Sequence, residues 1–152
     1  MALNSTGIAT AIAALSISGV TVLDLPAVPD TADMRKCPQM FPNPSGWIVG
    51  GIGSNEDGEG PATFGPGMWV MQRAFNYVYL HAPVGQGRGM LDHMSAMSTN
   101  LDAIMTALTT MAIANVDVME IDCGDFVVIT DPAGARFYGY TVTVALKERI
   151  NA

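Results

Sequence analysis

Four kinds of residue in this chain have the chemistry to build a site: two histidines, two cysteines, one glycine-rich loop with an arginine, and scattered carboxylates. His81 stands at the end of a predicted strand with no second ligand beside it in sequence, and His93 belongs to neither an HExxH pair nor a triad context. Both read as ordinary histidines, His81 as a lone surface one. Cys37 and Cys123 have no CxxC partner and no metal-like neighbour, so they read as buried or free thiols. The run at 83–89, Pro-Val-Gly-Gln-Gly-Arg-Gly, follows a predicted strand and precedes a predicted helix, as a phosphate cradle does. Its spacing fails, because Met90 stands where a third glycine belongs and no GK[ST] is present. Arg88 is the one residue there able to hold an anion; the plainer reading is a strand-to-helix link. The acidic loop at 53–60 does not follow the ligand order of a calcium loop and reads as a solvated tip, or in functional terms as an arm reaching a neighbouring subunit. No serine sits in a GxSxG elbow. The residues therefore predict no catalytic set, no metal site and no cofactor, and the chain is not expected to be an enzyme.

Composition narrows the class further. The 152 residues are 49% hydrophobic and only 14% charged, where a soluble domain carries about 25% charged residues. So few charges predict that part of the surface is covered by copies or partners. With 7 basic against 14 acidic residues the net charge is −7, which argues against a dedicated nucleic-acid-binding module. It is compatible with a protein that DNA must pass without sticking. Residues 1–23 carry no basic n-region, and Asn, Ser and Thr interrupt their apolar run, so they predict a short helix rather than a signal peptide or a membrane span.

The elements that must position these residues are legible from periodicity. Ile8, Ile12 and Leu15 form an apolar stripe after Ser5, a helix start, and Ser18-Gly19 ends it. A first strand is predicted at 20–25. Residues 26–67 hold most of the prolines and many glycines, with a strand at 47–52, and read as an extended insertion or arm. Residues 68–82 alternate Trp69, Met71, Arg73, Phe75, Tyr77 and Tyr79 against Val70, Ala74, Val78 and Leu80, a strand long enough to require a bend or bulge. Met90, Met94, Met97, Leu101, Ile104, Met105, Leu108 and Met111 then recur at helical spacing, with Asn100 on the outward side. Strands follow at 116–122 and 126–129, a turn at Asp131-Pro-Ala-Gly134, and a last strand at 136–146. Gly139, between Tyr138 and Tyr140, predicts a bend, a bulge or a close backbone approach. The fold class is α+β: one domain over 1–152, a mixed and mainly antiparallel sheet packed by an N-terminal helix and one long amphipathic helix.

This order of elements resembles the tail terminator (tail completion) proteins of long-tailed bacteriophages. The resemblance rests on the helix at 8–15, the strand at 69–80, the helix at 90–111, and the strands at 116–122, 126–131 and 136–144. It covers nearly the whole chain in architecture, and little in motifs. It implies a homohexameric ring that caps the tail tube, joins tube protein to neck and connector proteins, and lets genomic DNA pass through its lumen without specific binding. Assembly in the host cytoplasm and a place at the virion tail-neck, away from membranes, follow from the same resemblance. Asp117, Glu120 and Asp122 are then candidate lumen acids, or equally a solvated sheet face. Asn55, Glu56, Asp57 and Glu59 are the candidate intersubunit arm. A tube or stopper subunit, or a small-ligand-binding domain using Arg88, remains the alternative.

Overall fold

The structure is a computed structural model that describes residues 5–28, 31–44, 46–53, 69–85 and 87–150. Its elements in chain order are α1 (Ser5–Ala13), β1 (Thr21–Val22), β2 (Gln39–Pro42), β3 (Ile48–Gly53), β4 (Trp69–Pro83), α2 (Met94–Thr110), β5 (Val116–Cys123), β6 (Val127–Thr130) and β7 (Arg136–Ile150). β4 and β7 form the axis. They run antiparallel from Trp69 opposite Ile150 to Pro83 opposite Phe137, which defines a lower and an upper end of the sheet. Fifteen residues is too long for a regular strand, and the expected irregularity is a register shift between Leu80 and Ala82.

Each axial strand is flanked by two short strands in series. β3 pairs the lower part of β4 and β2 its upper part, while β5 pairs the lower part of β7 and β6 its upper part. β1 adds a parallel pair outside β2, so the sheet is mixed but mainly antiparallel, in the α+β class. Within residues 26–67, β2 and β3 are therefore sheet members, and residues 31–37 lie over the second face; residues 54–68 fall outside the described part.

Period-2 alternation decides what each face holds. Phe75, Tyr77 and Tyr79 of β4 and Tyr140, Val142, Val144 and Leu146 of β7 are buried against Ile8 and Ile12 of α1 and Met97, Ile104 and Leu108 of α2. Each such side chain contributes about 1.5–3 kcal/mol on a transfer scale. Tyr79 stacks on Tyr140 with centroids 4.3 Å apart, and Phe126 stacks on the same ring at 5.1 Å. On the opposite face Val78, Leu80 and Phe137 pack with Ala32, Cys37, Phe41 and Ile129 at the upper end, and Val70 is buried at the lower end.

Two glycines are required where they stand. A Cβ on Gly139 would lie 2.1 Å from the Tyr79 carbonyl oxygen, so its role is close backbone approach beside the bulge. Gly134 has φ +91° and closes the turn in which the Ala135 amide donates to Asp131 Oδ1 at 2.8 Å. The same carboxylate accepts from the Ala32 amide at 3.2 Å, tying the 31–37 cover to the β6–β7 turn. Elsewhere the elements are shorter than periodicity predicts. α1 stops at Ala13, the first strand is only Thr21–Val22, and the methionine helix opens with a 3-10 turn at Gly89–Asp92. No described helix is long and apolar enough to cross a membrane.

Candidate functional site

The three sequence-predicted acids lie on the lower half of the second sheet face, below the apolar cluster that covers its upper end. β5 turns Val116, Val118, Ile121 and Cys123 toward the helices and leaves Asp117, Glu120 and Asp122 exposed. The spacing of these acids is irregular in sequence because a bulge between Val118 and Glu120 inserts Met119, which is 52% exposed. Opposite them on β7 stand Lys147, Ala145 and Thr143, and opposite those on β4 stand Gln72, Ala74 and Asn76. Thr143 Oγ1 donates to Asn76 Oδ1 at 3.3 Å, so the middle of this face is short, polar and internally bonded.

The geometry decides what these carboxylates can do. Neighbouring acids are about 7 Å apart along the edge, two partner-strand residues at ~3.3 Å each. That is too far for two of them to share a proton or a metal ion. It lies within the ~10 Å screening length at 0.1 M salt, so they act as one negative strip. Asp117 is paired with Arg149, both being half exposed, which is worth little. Among the described residues no group of three or more histidine, cysteine or carboxylate side chains is placed to hold a metal. The candidate arm residues Asn55, Glu56, Asp57 and Glu59 lie outside the described residues.

A second cluster sits at the upper end, and here the structure corrects the reading of His81 as a lone surface histidine. His81 is 8% exposed, and its ring lies 5.2 Å from that of His93. His81 shares the covered face with Tyr79 two residues earlier, and His93, the cap residue of α2, lies against it. Tyr79 Oη lies 2.7 Å from His81 Nδ1 and accepts from Asn100 Nδ2, also at 2.7 Å. Asn100, expected on the outward side of α2, is thus half-buried against the sheet. Burial, with His93 alongside, holds the His81 imidazole below the usual 6.5. Burial pushes the Tyr79 phenol up to about 12, against the opposing effect of the Asn100 hydrogen bond. The phase of His81 with Tyr77 and Tyr79 was the available sequence signal; the approach of His93 depended on the path of the link.

The glycine link below this cluster is occupied by its own chain. The Arg88 amide donates to Asp92 Oδ2 at 3.1 Å, and Arg88 Nε donates to Asp92 Oδ1 at 3.0 Å. A carboxylate already takes the backbone donor and the guanidinium that a phosphate would need, which weighs against the anion-cradle alternative. Both cysteine thiols are pushed up, chiefly by burial, and so are poor nucleophiles.

No family model matches the chain, and no curated protein matches it.

One buried pair was not visible in the sequence. Arg73 Nη2 meets Glu148 Oε1 at 2.6 Å with side chains only 1% and 5% exposed, and Arg73 Nη1 donates to the Ser5 hydroxyl at the start of α1. Arg73 stood out in the sequence only as the charged member of an aromatic strand face. Its partner lies 75 residues away and is found only through the β4–β7 register.

Proposed function

We propose that this chain is a structural subunit of a ring, a tail terminator or closely related neck component of a long-tailed phage. It would cap the tail tube, meet the neck proteins and let DNA slide through. The observation that carries this reading is the exposed acidic edge of the lower second face of the sheet. A field of Ala, Thr, Asn and Gln with Lys147 at its lower end is bordered by Asp117, which pairs with Arg149, and by Glu120 and Asp122, whose exposed carboxylates suit repulsion of phosphates rather than catalysis. The edge strands of the lower half of the sheet, β3 on one side and β5 on the other, are free of further strand partners among the described residues. Opposite edges joining head to tail generate a ring when the rotation closes. The outward side of α2 supports the same reading: Asp102 is the only charged residue in its seventeen, which leaves a Ser/Thr/Ala surface suited to packing against a copy.

The test is mass in solution followed by particle images. A single closed ring that does not lengthen at high concentration is the expected outcome. Stacking into filaments would move the assignment to a tube subunit, and a stable monomer at every concentration would overturn it.

A further inference from the structure

We propose that the Asn100–Tyr79–His81 hydrogen-bond chain, with His93 beside it, is a proton-operated latch that holds the start of α2 on the sheet and loosens it in acid.

The chain has a direction. The Asn100 amide nitrogen can only donate, so Tyr79 Oη accepts from it at 2.7 Å. The single hydrogen of Tyr79 then points to His81 Nδ1, 2.7 Å away, which must be an acceptor. His81 in this arrangement is neutral and carries its proton on Nε2. A second proton can enter only at Nδ1, the atom facing Tyr79. Nδ1 then becomes a donor, Tyr79 Oη receives two donors, and its own hydrogen is left without a partner on a residue that is fully buried. The chain is repaired only by reversing it, with His81 donating to Tyr79 and Tyr79 to the carbonyl oxygen of a rotated Asn100 amide. That oxygen now faces Gly19, 3.3 Å from where a Cβ there would stand. Tyr79 cannot move aside to avoid the change, because it is stacked on Tyr140 at 4.3 Å.

Nothing near the pair compensates the incoming charge. β4 presents Tyr79, β7 presents Tyr138 and Tyr140, and α2 presents the neutral Asn100. The link presents His93 itself, while Asp92 is engaged by Arg88. Cys37, on the side of the 31–37 cover, is a thiol kept neutral by burial. Neither histidine has a carboxylate within ion-pairing distance among the described residues. Because folding holds His81 below its ordinary value, the folded chain binds fewer protons than the unfolded one between those values. Stability is therefore full above pH 6.5 and is lost as pH falls from there toward the lowered value. The loss is local, because the strained groups join α2 and its cap residue His93 to the sheet. The adjoining turn carries Leu91 and Met94, 61% and 42% exposed, so loosening it enlarges an apolar surface at the upper end.

The test is backbone hydrogen exchange on the intact chain at about pH 7.5 and about pH 5, corrected for intrinsic rates, with NMR titration of the histidine rings. The expected result is loss of protection at 97–103, the first hydrogen-bonded amides of α2, in acid while 142–146 keep theirs, with His81 titrating below 6.5. His81→Asn keeps an acceptor near the Nδ1 position and cannot titrate, so it should abolish the acid effect. Asn100→Asp offers a carboxylate that accepts from Tyr79 and favours the reversed chain, so it should raise the His81 titration point. Protection at 97–103 that is unchanged by acid, or lost equally in His81→Asn, would overturn the latch. So would a His81 that titrates at or above its ordinary value. Should His81→Asn fail to fold, the wild-type ring titration and the direction of the Asn100→Asp shift decide the matter by themselves.

Discussion

A guanidinium and a carboxylate buried together cost more to separate than to remove. Arg73 is enclosed on the helix-covered face, 2.6 Å from Glu148, with its guanidinium 5.8 Å from the Phe75 ring centre and its Nε without a hydrogen-bond partner. Taking away one partner leaves the other charge in the core, a loss of about 3–5 kcal/mol, whereas replacing both by apolar residues of similar volume is often neutral or stabilising. Arg73→Met and Glu148→Leu should each lower the urea midpoint by an amount corresponding to that loss. The double variant should return close to the parent. A double variant as unstable as the singles would mean that the pair is needed for packing between α1 and the sheet, through Ser5, and not merely tolerated.

At the scale of elements, α2 shows how apolar periodicity overstates burial. Eight residues share the stripe from Met90 to Met111, but of these only Met97, Ile104 and Leu108 are fully buried, and Met94 is 42% exposed. Met97→Ala should therefore cost about 2–5 kcal/mol. Met94→Ala should stay within about 0.5 kcal/mol, as surface changes do. Both are read as shifts in the chemical-denaturation midpoint. The axial strands and α2 were legible in the sequence because each carries its own period over more than a dozen residues. β2, in the proline-rich stretch, was not legible, because its four residues Gln39–Pro42 have no pattern of their own and exist by pairing with β4. The upper cluster escaped for a related reason. Asn100 falls on the polar side of an ideal stripe, and only the crossing of α2 over Tyr79 turns its amide inward to a buried hydroxyl. The acids of β5 could be read as one exposed face, but the bulge at Met119 that keeps them in phase could not.

For the whole molecule, the governing quantity is the charge balance, −7 spread over few charged groups. Glu120 and Asp122 are exposed on the lower half of the second sheet face with no ion pair among the described residues, while Lys147 and Arg149 stand near Asp117 at its lower end. If that face lines a passage for DNA, its function is to avoid holding phosphates. Binding to duplex DNA grows with each cation placed against the backbone and falls steeply with salt. Reversing two exposed charges, Glu120→Lys with Asp122→Lys, removes two repulsive sites and supplies two attractive ones about 7 Å apart on one strand face. Their exposure means that the fold should tolerate the change within about 0.5 kcal/mol each. The parent should show no retention of duplex DNA at about 0.15 M salt, near the physiological screening regime. The double variant should retain DNA at low salt and release it as salt rises, more strongly as a ring than as a monomer, since each ring presents the new cations in several copies at once. An assembled ring of the variant that still ignores DNA would place these acids away from the passage and return them to a solvated sheet face.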